Sequence, residues 1–233
     1  PLFMVMTASI AAFSPVHAEE AVLNLGFFVM GCIWSCLVAV LYSAWLLQRR
    51  APVEPPSLDR ERLEMALVDS LLTGLFVGLS LALAEVLGLE KAYWVPVSCL
   101  AVLQGVTLRV SWSRHVHRIA GTIIGIGATW LLVPLLTDIW AIVGAITVLT
   151  FLIETAVVRH YAFAAIFITP LTILLAETNS PGSTSISLLM EARLIDTVVG
   201  AAIGLVGALC LHSQRVRGVV RTGLATVLPK SSA

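Results

Sequence analysis

Two short segments hold the residues best suited to chemistry. Arg118-Ile-Ala-Gly121-Thr122-Ile-Ile-Gly125 and Arg193-Leu-Ile-Asp196-Thr197-Val-Val-Gly200 each set a threonine four residues after an arginine, and a glycine three residues beyond that. A guanidinium with a hydroxyl one helical turn away presents donors suited to a carboxylate. Each arginine is expected to open a membrane span, where free N–H groups and the helix dipole also favour anions. The pattern therefore reads as an anion path with a cationic group at each mouth. The competing reading is a pair of arginines that snorkel and anchor span ends. Asp196 stands three residues from Arg193, a spacing that permits an ion pair. It either neutralises Arg193 or exchanges a proton and couples transport to the proton gradient. Asp69, Glu85 and Glu154 fall toward span ends and read as interfacial.

Other chemistries find little support. Trp94 and Tyr93 read either as interfacial belt residues or as an aromatic wall for a ring-bearing ligand. His115 and His117 lie two apart, off a common helix face, so they make a poor metal pair; with His160, Arg114 and Arg159 they form a basic collar. Cys32, Cys36, Cys99 and Cys210 sit in apolar runs without metal or disulfide spacing and read as packing residues. No phosphate loop, zinc-protease motif or nucleophile elbow is present, so neither an enzyme nor a cofactor is expected. A formal net charge of zero argues against nucleic acid as a partner.

The elements that position these residues are membrane helices. The 233 residues are 58% hydrophobic and 12% charged, too apolar for a water-exposed surface. A span needs about 20 apolar residues. Runs of roughly that kind cover Leu2–Val16, Ala21–Leu47, Met65–Leu87, Tyr93–Leu108, Ile119–Leu136, Ile139–Val158, Tyr161–Ala176 and Leu194–His212. They are continuous rather than alternating, which selects helices over barrel strands. The expected fold is an all-α polytopic bundle of about eight spans. Residues 1–18 also permit a signal peptide, since small residues precede Glu19, although no basic region precedes Leu2.

Basic residues orient the spans. They follow the second, fourth, sixth and eighth runs, leaving only Lys91 and Arg193 on the other side, so the basic side is expected to be cytoplasmic. Residues 48–64, with Pro52, Pro55 and Pro56, read as a cytoplasmic linker between two spans (1–47) and a six-span domain (65–212). Residues 213–233 form a basic tail on the same side.

The two arginine segments lie 75 positions apart, from 118 to 193, with three spans between equivalent points. An odd number reverses direction, so the last six spans are expected to form an inverted 3+3 repeat, as in many secondary transporters. Pro96 and Pro170, 74 apart, fit a similar offset. Gly74/Gly78, Gly121/Gly125 and Gly200/Gly204 are small pairs that let helices approach closely in lipid.

Tyr93-Trp94-Val-Pro-Val-Ser98, with Arg118-x-x-Gly121-Thr122-x-x-Gly125, Phe167-Ile-Thr169-Pro170-Leu-Thr172 and Arg193-x-x-Asp196-Thr197-x-x-Gly200, resembles the fusaric acid resistance (FUSC) and aromatic acid exporter family over roughly residues 64–212. Ser98 departs from the threonine expected there. The resemblance implies a bacterial inner-membrane exporter of aromatic or other weak organic acids, driven by the proton motive force. Its C-terminus would be cytoplasmic, and its partners a periplasmic adaptor protein and, as an option, further copies of itself. With the reading of the residues above, Trp94, Arg118, Thr122, Thr169, Arg193 and Thr197 are expected to contact the organic acid and Asp196 to couple protons. The resemblance also suggests that residues 1–47 end a first membrane half. A passive organic-anion channel and a non-transporting scaffold for an adaptor remain as alternatives.

Overall fold

The computed structural model describes residues 18–49, 60–157, 159–179 and 185–227. The run expected at Leu2–Val16 and most of the 48–64 linker lie outside them. Every regular element among the described residues is helical. The chain divides into two compact units, residues 14–62 and a body that begins at residue 63.

The first unit holds α1 (Ala18–Arg49). At 1.5 Å per residue it is amply long for a hydrocarbon core of about 30 Å. Its apolar side chains, including Phe28, Trp34 and Leu41, are exposed, which suits lipid rather than water. Near its end Tyr42 stacks on Trp45, and the Arg49 guanidinium sits 4.6 Å from the Trp45 ring centre, an aromatic-basic anchor of interfacial type. Cys32 and Cys36 are exposed and free, so the packing role expected of them is not seen among the described residues.

The second unit contains α2 (Arg60–Val86), α3 (Trp94–Leu103), α4 (Leu108–Leu132), α5 (Ile139–Val157), α6 (Tyr161–Asn179), α7 (Ile186–Leu211) and α8 (Gln214–Val227). With α1, the helices α2, α4, α5, α6 and α7 are long and apolar enough to cross a membrane. Leu75, Ile124, Val148 and Phe151 point outward as a lipid-facing coat, while α3 and much of α6 are enclosed.

The expected span at Tyr93–Leu108 is corrected. Ten residues of helix rise only about 15 Å, half the hydrocarbon thickness. The rest of that apolar run turns at residues 104–107 and starts α4. A short helix at membrane depth is tolerated because it is surrounded by protein: Trp94, Val95, Val97, Cys99, Ala101 and Val102 are all buried.

Two starts differ from expectation by more than two helical turns. α4 begins at Leu108 rather than Ile119, capped by the Thr107 hydroxyl, which accepts from the Val110 N–H at 3.3 Å. α7 begins at Ile186 rather than Leu194, where the Ser185 hydroxyl accepts from the Leu188 N–H. Such caps outweigh hydropathy in fixing a helix start, because they satisfy N–H groups that the helix leaves free. Arg118 and Arg193 therefore lie two to three turns inside their helices, not at the mouths.

Packing follows the inverted repeat. A methyl group on Gly121 would strike Ala165, and one on Gly125 would strike the Ile166 carbonyl and Thr169, so α4 and α6 run parallel in contact. Methyl groups on Gly200, Gly204 and Gly207 would strike Val95 and Ser98, then Cys99 and Val102, then Leu103, so α7 and α3 do the same. Between the halves, α4 and α7 run antiparallel: His115 Nδ1 lies 3.0 Å from the Ala201 carbonyl, while Thr122 meets Thr197. These contacts pair position 98 with position 169, an offset of 71 between α3 and α6. The prolines 74 apart are therefore not equivalent. Pro96 sits in the first turn of α3, where its missing N–H is harmless; Pro170 lies inside α6, where it frees the Ile166 carbonyl that lies against Gly125. Gly74 and Gly78 meet nothing within 4 Å, so the packing role expected of that pair is absent among the described residues.

Elsewhere α2 docks through Phe76 and Val77 on Cys99, Leu103 and Ala208. Asp69 pairs with Arg217 of α8 at 3.0 Å, partly exposed. Gly88, at φ +65°, takes the left-handed turn that ends α2 and leads into the loop before α3.

Candidate anion-binding site

The repeat axis passes where α4 and α7 cross. There the Thr122 hydroxyl donates to Thr197 at 3.4 Å, both side chains fully buried. One turn away on each helix stand Arg118 and Arg193, each 0% exposed. They lie close enough to repel one another. Burial at this depth disposes of the snorkelling reading, which needs a guanidinium that reaches the interface.

The two arginines are not satisfied alike. Arg118 donates through Nε and Nη2 to the Ser98 hydroxyl, at 3.4 and 3.3 Å, and its Nη1 has no hydrogen-bond partner. By the 71- and 75-residue offsets the counterpart would be Arg193 on Thr169. That bond is not made: Arg193 Nε, Nη1 and Nη2 and Thr169 Oγ1 all lack hydrogen-bond partners. Arg193 instead lies over the Trp94 ring, 5.0 Å from its centre, and Trp94 packs edge-on against Tyr93. Trp94 is 0% exposed and Tyr93 is buried too, so neither is an interfacial belt residue.

Asp196 breaks the repeat's polar pattern, occupying the place that Gly121 fills in the first half. It is 1% exposed, and both carboxylate oxygens lack hydrogen-bond partners. The ion pair its spacing permits does not form within 4.0 Å, although Arg193 still feels its charge. An unpartnered guanidinium out of water costs several kcal/mol, so its donors are poised for an anion that brings its own charge and acceptors.

Of the candidate residues, Trp94, Arg118, Thr122, Arg193 and Thr197 come together around the axis. Thr169 joins through α6, against Gly125. Ser98, which departs from the expected threonine, still supplies the hydroxyl that meets Arg118. The collar histidines lie apart: His115 bonds the Ala201 carbonyl, and His117 is 3.4 Å from Ser113. Among the described residues no group of three His, Cys, Asp or Glu is arranged to hold a metal.

The family described as fusaric acid resistance protein-like matches residues 79–207, from the last third of α2 to near the end of α7, more than half of the chain. The chain belongs to this family. Its matched segment contains all of the arginine, threonine and aspartate positions above. Among curated proteins, the uncharacterized membrane protein YvaC of Bacillus subtilis (strain 168) is 32% identical over 142 residues, 58% of this chain and 22% of that protein. The uncharacterized protein ORF2 of Neisseria gonorrhoeae is 31% identical over 134 residues, 55% of this chain and 30% of that protein. The chain thus spans less than a third of either relative. No solved structure matches. Family, helical composition and apolar spans together make this a polytopic membrane protein of the fusaric acid resistance-like type.

Proposed function

We propose that this protein exports aromatic or other weak organic acids across the bacterial inner membrane, with its basic helix ends in the cytoplasm. One observation carries the reading: Arg118 and Arg193 are fully buried on the repeat axis, and most of their donors are unused. A carboxylate bound there would take charge-assisted hydrogen bonds from both halves of the repeat. The Ser98, Thr122, Thr169 and Thr197 hydroxyls stand around it, and the Trp94 face supplies one aromatic wall. An anion leaving a negative interior is driven by the electrical part of the proton motive force, about 2.3 kcal/mol per charge per 100 mV. Asp196 is the group in the site that can exchange a proton. In the complete machine a periplasmic adaptor protein and further copies of the chain are proposed partners.

Inverted vesicles carrying the protein should accumulate labelled hydroxybenzoate when energised, and Arg118→Ala and Arg193→Ala should abolish it. No uptake across a panel of aromatic and aliphatic acids would sink the reading. Anion currents in planar bilayers without any proton gradient would assign the same arginines to a passive channel instead.

A further inference from the structure

We propose that the pocket between the α2–α3 loop and the start of α7 is a proton vestibule for Asp196, and that a proton bound there and an acid anion bound at Arg193 strengthen each other. This rests on the anion-site reading above. The pocket, about 240 Å³, is lined by Gly88, Leu89, Glu90, Leu188, Glu191, Ala192, Ile195 and Asp196. It has two exposed carboxylates at its mouth, Glu90 and Glu191, and one buried carboxylate, Asp196, on its wall. Asp196 is 99% enclosed and has no hydrogen-bond partner on either oxygen. Among the described residues no basic side chain lines this pocket, so it concentrates hydronium and disfavours anions.

The charged and titratable groups that act on Asp196 come from two elements. Arg193 of its own helix attracts it, and Glu90 of the loop before α3 opposes its charge; the Tyr93 phenol stands at the end of the same loop. Glu191 adds a third carboxylate to the pocket from the same helix. Behind Arg193 stands Arg118, which repels it.

The chemistry is one proton transfer. Hydronium in the vestibule gives its proton to an Asp196 oxygen and becomes water, and the carboxylate becomes a neutral carboxyl. Arg193 then loses the negative charge of Asp196, so an incoming carboxylate meets the guanidinium without that competitor. When Asp196 returns the proton to the vestibule water, its negative charge again competes for Arg193 and the cargo anion is released; the proton enters and leaves on one face, so the anion still carries its charge across the membrane. By linkage, whatever factor protonation adds to anion affinity, the anion adds to proton affinity. The repeat supports an assignment to this face alone. The first half has Gly121, packed on Ala165, where the second has Asp196, so only one end of the site carries an acid.

The test has two readouts on the whole chain in proteoliposomes. The first is labelled-for-unlabelled hydroxybenzoate exchange, with pH varied on the vestibule face. Wild type should half-saturate at least about tenfold lower at pH 5 than at pH 8, since that linkage is worth about 1.4 kcal/mol. The exposed double variant Glu90→Gln, Glu191→Gln should still exchange but shift this pH profile. An affinity independent of pH, or an unshifted profile in the double variant, overturns the proposal. The second readout needs no substrate: dicyclohexylcarbodiimide, which attacks protonated carboxyls, should label Asp196 in peptide mass spectra, increasingly as pH falls, and Asp196→Asn should remove that label. Should no acid exchange at all, the exporter reading fails, and the labelling alone decides the vestibule; an Asp196 unlabelled at every pH overturns it.

Discussion

Thr122 and Thr197, 75 positions apart in the chain, meet hydroxyl to hydroxyl at 3.4 Å on the axis that relates the two halves of the repeat. The contact fixes the register of α4 against α7 and sets Arg118 and Arg193 on opposite sides of one centre. The two halves then differ in how their arginines are held: Arg118 has engaged its hydroxyl, on Ser98, and Arg193 has not engaged Thr169.

Removal of either guanidinium should therefore be costly for transport. Arg118→Ala and Arg193→Ala should each lower hydroxybenzoate exchange at least about tenfold, because a charge-assisted hydrogen bond contributes about 1.5–3 kcal/mol. Lysine should rescue only in part, since it keeps the charge and loses the fork. Equal exchange in wild type and both alanine variants would remove these residues from the anion path.

Thr169→Val separates function from folding. The hydroxyl has no hydrogen-bond partner in this state, so its loss should leave thermal stability in detergent unchanged or slightly raised. If the cycle includes a state in which Arg193 engages Thr169, as Arg118 engages Ser98, exchange should fall roughly threefold to tenfold, the weight of about one neutral hydrogen bond. Unchanged exchange would argue that no such state is visited.

Trp94 should govern preference rather than capacity. Its ring faces Arg193 at 5.0 Å, and cation–π contact of this kind contributes about 0.5–2 kcal/mol when desolvated. Trp94→Phe should retain a preference for aromatic over aliphatic acids, and Trp94→Leu should lose most of it. Competition of unlabelled benzoate and short-chain acids against labelled hydroxybenzoate measures this directly. A preference identical in all three proteins would refute a ring-binding role.

Glycines divide into two classes with opposite expectations. Gly125→Ala and Gly200→Ala drive a methyl group into the Ile166 and Val95 carbonyls and should each destabilise by about 1–3 kcal/mol. Gly74→Ala and Gly78→Ala meet open space and should be neutral or stabilising by up to about 1 kcal/mol, through helix propensity. Melting temperatures of the purified variants in one detergent check both halves of the expectation.

Much of this molecule was legible in its sequence. Apolar runs marked the long helices, since a bilayer demands about 20 apolar residues in a continuous stretch. The matching segments at 118 and 193 disclosed the inverted repeat, because a motif repeated after three spans must reverse direction. They also picked out Arg118, Arg193, Thr122, Thr197 and Asp196 before any contact was known. Hydropathy could not set where the helices begin: the Thr107 and Ser185 caps are local hydrogen bonds, and they carry Arg118 and Arg193 away from the surface. Nor could it show that α3 is half a span, for an apolar run looks the same whether lipid or protein surrounds it. The offset of 71 between α3 and α6, the unmade Arg193–Thr169 bond and the pocket that joins Glu90 to Asp196 all depend on which helix faces which. Sequence determined the chemical groups; tertiary packing decided which are buried, paired or left with free donors, because burial and partnership are set by neighbours distant in the chain.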